Sequence, residues 1–408
     1  MPTFTELGVR TRTLDSLNRL GITEPNPVQL QAIPALLAGR DAVIEAPTGS
    51  GKTLAFGVPL IERLRGHRTP GPRALVVGPT RELSLQVASV IAGLDQGLRV
   101  AVLYGGVGYG AQLQALSGGA DVVVGCPGRI LDLVGQGRVS FDRVEYLVLD
   151  EADEMLDAGF ARDVESIISL CAQGSGRQTV LASATMPGWV ERMIVRHLRQ
   201  PQRVRVSAEV EPDLEHGIVD VADDARLETL VTLLRLQPAG SGTIVFTRTK
   251  HGAKKLGRQL TNLQLRAVEL QGNLSQNARE RSIGSFREGE ADILVATNVA
   301  ARGLDVPHVG LVVNYELPET AQWLTHRIGR TARNGAAGKA ITLLSPTDSE
   351  QWHKLQRTGA PSLPRLDAPA LLQGGEWRYL TGPAPLLAAP PRPARVGQSD
   401  RPRRWSSG

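Results

Sequence analysis

Residues 46–53 read Ala-Pro-Thr-Gly-Ser-Gly-Lys-Thr, and residues 150–153 read Asp-Glu-Ala-Asp. The first stretch has the makeup of a phosphate-binding loop. Gly49 and Gly51 let backbone N–H groups turn inward toward phosphate oxygens, with Thr48 and Ser50 in the same turn. Lys52 supplies a compact positive charge for the β- and γ-phosphates, and the Thr53 hydroxyl is a ligand for Mg²⁺. The second stretch places two adjacent carboxylates, Asp150 and Glu151, after the apolar run Tyr146-Leu147-Val148-Leu149. Together these are the groups needed to cleave a nucleoside triphosphate. Among 40 Arg and 6 Lys, Lys52 is the one Lys in the first 249 residues. An Arg fork is too bulky and planar for a cradle built around an ammonium.

Elements must hold these groups in place. Asp41-Ala42-Val43-Ile44-Glu45-Ala46 reads as a strand leading into the loop, and an apolar helical stretch follows it. Further apolar, β-branched runs lie at 74–77, 100–103, 121–124 and 179–182. Helix-length segments separate them, which predicts a parallel sheet covered on both faces. Residues 206–217 are polar and contain Pro212, and read as a linker. The alternation restarts at 243–246, 267–270, 292–296, 310–314 and 340–344, a second α/β unit without a phosphate loop of its own. The expected division is therefore 1–205, a linker at 206–217, 218–355, and a tail at 356–408. Nine Pro and six Gly in residues 358–408 predict a largely irregular tail. Glu376-Trp377-Arg378-Tyr379-Leu380 is the one stretch there with the makeup of a short docked strand.

Composition excludes several classes. The 408 residues are 41% hydrophobic and 21% charged, which suits a globular protein of two or three domains. No apolar run reaches membrane-spanning length, and the N-terminal residues lack a secretory pattern. Cys126 and Cys171 are too few for a disulfide framework and suit thiols in a reducing cytoplasm. Net charge is +5. Arg392, Arg395, Arg401, Arg403 and Arg404 against Asp400 give residues 390–408 a charge of +4, leaving +1 for the rest. A nucleic-acid surface on the body must then be a local patch.

The remaining motifs fall in one order. Phe4, Gly21 and Gln29 precede the loop. Pro79-Thr80-Arg81-Glu82-Leu83, Gly105-Gly106 and Pro127-Gly128-Arg129 follow it, and Ser183-Ala184-Thr185 comes after Asp150-Glu151-Ala152-Asp153. The second unit carries Val245-Phe246-Thr247-Arg248, Ser275-Gln276-Asn277-Ala278-Arg279, Ala300-Ala301-Arg302-Gly303-Leu304-Asp305 and His326-Arg327-Ile328-Gly329-Arg330-Thr331-Ala332-Arg333. From residue 4 to about 345 the chain resembles a DEAD-box ATP-dependent RNA helicase of bacterial type. The resemblance implies two RecA-like domains, each a mostly parallel sheet with helices on both faces, closing over ATP, Mg²⁺ and one RNA strand, with a flexible basic tail.

It also implies roles. Asp150 holds Mg²⁺ largely through water, and Glu151 orients and deprotonates the attacking water. Gln29 reads the adenine edge, Phe4 stacks on the base, and Asp305 contacts the ribose. Arg330 and Arg333, three apart on a helix face, act on the γ-phosphate, a contribution worth roughly 10³–10⁵ in rate. Ser183, Thr185 and His326 couple the domains. Pro79, Thr80, Arg81, Gly106, Pro127, Gly128 and Arg129 on the first unit, with Arg248, Gln276, Thr297 and Arg302 on the second, follow the RNA backbone. Backbone contacts give affinity without sequence readout, and 2′-hydroxyl contacts separate RNA from DNA. Cys126, Gln271, Asn298 and Ala332 stand where the family usually has Thr, His, Asp and Gly. The activity implied is RNA-stimulated ATP hydrolysis that separates short duplexes, with no membrane partner. The alternatives are an ATP-gated RNA clamp or scaffold with little unwinding, and a DNA-directed helicase of the same superfamily.

Overall fold

The computed structural model describes residues 2–47, 49–66, 70–172, 176–206, 214–238, 240–301, 306, 308–332, 337–374 and 377–380. The apolar runs become strands of two sheets. The first contains β1 (Ala42–Glu45), β2 (Ala74–Val77), β3 (Val100–Leu103), β4 (Val122–Gly125), β5 (Tyr146–Leu149), β6 (Gln178–Ser183) and β7 (Gln202–Arg205). Their order is β3-β4-β2-β5-β6-β1-β7, and every pair is parallel. Alternate residues of one strand face opposite layers. Ile44, Val76, Val148 and Val180 join Ile33, Leu60 and Val87 of the helices Pro27–Leu37, Lys52–Leu64 and Arg81–Leu94. Val43, Leu75, Leu147 and Leu181 join Ile130, Ile167 and Val190 of the helices Pro127–Gly135, Ala161–Leu170 and Gly188–His197. Burial on both faces is why these strands read as unbroken apolar runs.

The second sheet contains β8 (Leu214–Asp220), β9 (Gly242–Thr247), β10 (Ala267–Leu270), β11 (Ile293–Thr297), β12 (Val309–Asn314) and β13 (Gly338–Leu344). Its order is β10-β11-β9-β12-β13-β8, again all parallel. One face is covered by Leu230, Leu234, Leu256 and Leu260. The other is covered by Phe286, Leu324, Ile328, Trp352 and Leu355. In a parallel sheet all carboxyl ends point one way, and ligands collect in the crevice outside them. Every motif of the sequence reading that lies among the described residues and follows a strand leaves from such an end.

Two expectations need correction. Residues 214–217, taken as linker, are the first half of β8, which pairs with β13 from Gly338↔Leu214 to Leu344↔Asp220. Glu215 and His216 gave that stretch a polar look because the amino-terminal part of β8 is only half-buried. Residues 207–213 lie outside the described residues. The tail is also less irregular than its composition predicts. The helix Ser349–Arg357 crosses the expected boundary at 355/356. Beyond it, Arg365 bridges to Ile218 and Leu366 to Tyr379. The N–H groups of Asp367 and Leu380 donate to the carbonyls of Arg378 and Arg365 at 2.8 Å. The stretch 377–380 therefore docks, as its composition allowed, while 381–408, with the Arg cluster, lies outside the described residues.

Leu366 drives this docking. It is 1% exposed and joins the core with Ala368 and Leu371. Gly217 lets it lie against β8, since a Cβ there would sit 2.5 Å from Leu366 Cγ. Leu366→Ala should destabilise the second unit by about 2–4 kcal/mol, the usual range for emptying a buried leucine site. Denaturant unfolding followed by Trp323 and Trp352 fluorescence checks this, and a loss below about 0.5 kcal/mol would mean that the tail does not dock.

Candidate active site

Residues 46–51 connect β1 to the helix Lys52–Leu64, and the loop's shape depends on glycine. Gly49 and Gly51 have φ of 85° and 83°. At Gly51 a Cβ would lie 2.3 Å from Asn26 Nδ2 and 2.7 Å from Gln29 Nε2. Gln29 closes a capping box with Asn26 at the start of the helix Pro27–Leu37. Its Oε1 accepts from Asn26 N at 3.1 Å and its Nε2 donates to Gly51 O at 3.4 Å. Asn26 Nδ2 donates to Ser50 O at 2.9 Å. The amide expected to read a base edge thus also braces the loop. Lys52 Nζ, almost fully buried, donates to Ala46 O at 2.7 Å and Pro47 O at 3.2 Å. Ser50 Oγ is buried with no hydrogen-bond partner. Thr53 opens the same helix one residue after Lys52, and Thr48 lies outside the described residues. Phe4 departs from expectation. It is 3% exposed within the first core, so it does not offer an open face for stacking.

The end of β5 concentrates negative charge. Asp150, Glu151, Asp153 and Glu154 are all buried. Burial, then the neighbouring Glu151 carboxylate, push the Asp150 carboxyl up to about 7, and Lys52 opposes this. Glu151 takes a left-handed backbone, φ 50°, at the turn into the helix Ala152–Asp157. A non-glycine residue held there is strained by order 1–3 kcal/mol, a mark often found at functional turns. The turn brings Glu151 Oε1 to 3.5 Å from Lys52 Nζ.

Of the next two acids, Asp153 is bonded within the first unit and Glu154 faces the second. Asp153 Oδ2 accepts from Thr185 N at 2.8 Å and Thr185 Oγ1 at 2.7 Å. Ser183 Oγ accepts from Asp153 N at 3.2 Å and donates to Thr185 O at 2.8 Å. Gln322 Nε2 reaches across to Thr185 Oγ1 at 3.3 Å. Glu154 Oε1 lies 3.6 Å from His326 Nδ1 and 3.8 Å from Arg330 Nη2. His326 is in the helix Ala321–Ile328 and Arg330 follows it, so both expected cleft residues meet the acidic cluster. Arg302, Asp305 and Arg333 lie outside the described residues. Sequence reasoning missed Asn26, Glu154 and Gln322. Asn26 had a signal, a cap residue three before Gln29, and Glu154 adjoins the motif.

A second band of residues runs along the same edge. Thr80 caps the helix Arg81–Leu94 by accepting from Leu83 N. It follows Pro79, which is buried. The Arg81 guanidinium lies 4.1 Å from the Tyr104 ring centroid, and Arg129 lies 4.3 Å from that of Tyr109. Gly106, φ 81°, sits between those two tyrosines. Pro127 and Gly128 open the helix carrying Arg129, whose Nη2 donates to Val107 O at 3.1 Å. Opposite stand Arg248 and Gln276, with Thr297 at the end of β11. Arg81 Nη2 donates to Glu280 at 2.7 Å, and Arg279 pairs with Glu82 at 2.6 Å across the cleft.

The departures from the family pattern have local consequences. Cys126 precedes the helix at 127 without capping it, and burial pushes its thiol up to about 11. Gln271 turns inward and accepts from Asn273 N at 2.7 Å. Ala332 keeps a left-handed backbone, φ 55°, at some cost to an alanine. Asn298 accepts from Arg327 Nε at 2.5 Å and donates to Glu319 at 3.0 Å.

Comparison with known proteins agrees with this geometry. The family description "DEAD/DEAH box helicase" matches residues 26–193, and "Helicase conserved C-terminal domain" matches residues 225–335. The chain is 39% identical over 375 residues to the DEAD-box ATP-dependent RNA helicase CshA of Geobacillus kaustophilus, covering 91% of this chain and 79% of that protein. It is 40% identical to the ATP-dependent RNA helicase DeaD of Escherichia coli, covering 90% of this chain and 58% of that protein. It is 41% identical to the maize chloroplastic DEAD-box ATP-dependent RNA helicase 3B, covering 86% of this chain. The chain spans 48% of that maize protein's length. Among solved structures, S. cerevisiae Dbp5 bound to RNA and ADP BeF3 superposes with a TM-score of 0.77 at 27% identity, covering 91% of this chain and 98% of that one. The DEAD-box helicase Mss116 bound to ssRNA and UDP-BeF gives 0.80 at 26%, covering 90% and 80%. Two RecA-like units with the ordered motifs above, and similarity to such relatives over most of this chain, place it in the DEAD-box ATP-dependent RNA helicase family.

Proposed function

We propose that the protein is an RNA-stimulated ATPase that uses closure of its two units on one RNA strand to separate short duplexes. One observation carries the reading. Glu154 of the first unit meets His326 and Arg330 of the second, a few residues from the Lys52–Glu151 pair. The hydrolytic groups are therefore assembled only when the units meet.

In this reading Lys52 and the N–H groups of residues 49–53 hold the triphosphate, Thr48 and Ser50 contribute from the same loop, and Gln29 holds the adenine. The unpartnered Ser50 hydroxyl fits a phosphate neighbour. Thr53 and Asp150 are the residues that would hold Mg²⁺. A buried carboxyl shifted up to about 7 fits a hard divalent cation, which favours its charged form. Bound there, the ion would neutralise charge on the phosphate oxygens. Glu151 orients the attacking water and takes its proton. Arg330, with Arg333, approaches the γ-phosphate from the second unit, and Asp305 the ribose. Asp153, Ser183, Thr185 and Gln322 connect that chemistry to the RNA band, where Thr80, Arg81, Gly106, Arg129, Arg248, Gln276, Thr297 and Arg302 track the backbone. RNA and ATP each favour the closed arrangement, so each raises the other's affinity. The thiols of Cys126 and Cys171 suit a reducing cytoplasm. Among the described residues no helix is long and apolar enough to cross a membrane.

The reading is tested by ATP hydrolysis with single-stranded RNA, single-stranded DNA, or neither. Stimulation by RNA and not DNA is expected, and equal stimulation by both would overturn the substrate assignment. Glu151→Gln keeps the shape of the side chain but cannot take a proton. Turnover should fall at least about 10²-fold while ATP-dependent RNA binding persists. Near-parental turnover would remove Glu151 from the mechanism. Gly51→Ala forces a Cβ into Asn26 and Gln29 and a side chain onto a left-handed backbone. It should abolish the nucleotide-dependent rise in melting temperature while leaving the circular dichroism spectrum intact. A retained nucleotide response would show that the loop does not need this glycine.

A further inference from the structure

The contacts of Glu280 carry an inference that rests on the reading of Arg81 and Gln276 as RNA contacts. Glu280 lies in the helix Gln276–Arg287 of the second unit. One of its oxygens, Oε1, accepts two hydrogen bonds: from Arg81 Nη2 of the first unit at 2.7 Å, and from Gln276 Nε2 at 2.9 Å. An anionic oxygen therefore sits between two groups on opposite walls of the cleft, both expected on the RNA backbone. The rest of the Arg81 guanidinium is closed off. Its face lies on Tyr104, and Nε and Nη1 are buried without hydrogen-bond partners. The Nη2 edge is the one open to an incoming anion, and Glu280 holds it. The Glu280 side chain is 56% exposed, so it meets water and anything approaching along the cleft. The adjacent Arg279–Glu82 pair at 2.6 Å fixes the helix beside Arg81.

We propose that Glu280 is an internal stand-in for an RNA phosphate, whose carboxylate occupies the Arg81–Gln276 position until a phosphodiester oxygen displaces it. The exchange replaces one charge-assisted bond by another, so the net gain from this subsite is small. RNA must then draw its affinity from several subsites at once. A lone phosphate or a free mononucleotide gains little here.

A carboxylate that only latched the units together would give the opposite sign on substitution. In the stand-in, loss of the charge frees Arg81 for RNA, whereas in a latch it weakens closure and RNA binding together. The test is fluorescence anisotropy with a short single-stranded oligouridylate and a non-hydrolysable ATP analogue. Glu280→Gln should tighten RNA binding roughly two- to fivefold, the scale of one exposed ion pair. The RNA concentration giving half-maximal ATPase stimulation should fall by a similar factor. Glu280→Asp, which keeps the charge, should stay near the parent. In an Arg81→Ala background the Glu280→Gln effect should vanish, because the two residues act through one contact. Unchanged or weakened RNA binding by Glu280→Gln overturns the proposal. Arg81→Ala and Gln276→Ala separately test the underlying track. If neither weakens RNA binding, the RNA path itself is wrong; if they do and Glu280→Gln does not tighten it, only the stand-in falls.

Discussion

Four carboxylates within five residues, Asp150, Glu151, Asp153 and Glu154, are buried at the end of one strand. Burying one ionised carboxylate without compensation costs several kcal/mol, and here four lie side by side. Each meets a different solution. Asp153 is satisfied locally by the backbone and hydroxyl of Thr185. Glu151 is opposed by the Lys52 ammonium. Asp150 accepts from Glu151 N at 3.1 Å and feels the Lys52 charge, but burial and the Glu151 carboxylate outweigh both and push its carboxyl up to about 7. Glu154 meets His326 and Arg330 of the second unit. In the proposed mechanism two of the four therefore look outside the first unit, one toward Mg²⁺ and one across the cleft. In that mechanism the imbalance ties nucleotide binding to closure.

The parallel sheets follow from the same requirement. Backbone groups and side chains from many loops must converge without crossing, and the carboxyl edge of a parallel sheet gathers them. Lys52, Asp150, Ser183 and Arg81 leave β1, β5, β6 and β2, the four central neighbours of the first sheet. The second sheet presents Arg248, Thr297 and the helix of His326 from β9, β11 and β12, which are also neighbours there. Strands buried on both faces hold the motif ends fixed.

Most of this was legible in the sequence because the central strands that carry motifs are buried on both faces and read as apolar runs. The two strands that sequence reasoning passed over, β7 and β8, are edge strands of their sheets. β7 exposes Arg203 and Arg205, and the first half of β8 carries Glu215 and His216. Half-exposed edges lose the apolar signal, so polarity there reads as linker. The tail was misjudged for a related reason. Proline and glycine counts describe the average of residues 358–408, whereas docking is decided by Leu366 fitting over Gly217. His326 and Arg330, anticipated by the reading, do meet the first unit across the cleft, but Glu154 was announced only by its place beside the motif and Gln322 by no pattern. Phe4 shows the converse. An aromatic at a motif position suggested stacking, and packing has put it in the core.

The least expected feature of the second unit is Arg327. It is 1% exposed, and burial pulls its guanidinium down to about 9. Its hydrogen-bond partners are neutral: Asn298 Oδ1, Asn314 Oδ1 and Glu316 O. With Asp at position 298 the guanidinium would have a carboxylate in direct contact. Here the amide of Asn298 stands between Arg327 and Glu319, accepting from one and donating to the other. A neutral amide relays the attraction without bringing two carboxylates together, since an Asp at 298 would lie beside Glu319. The cost is a longer path between opposite charges and a buried Nη2 left without a hydrogen-bond partner. Arg327 lies three residues before Arg330, so this weaker anchoring is felt by the helix end that carries Arg330 to Glu154. Ala332, two residues further on, adds backbone strain to the same turn. Both departures act on how firmly the second unit presents its arginine, and neither removes a group that touches the reacting phosphate in the proposed mechanism. In that mechanism the reacting groups are thus retained while the anchoring of the site's far wall differs from the family pattern.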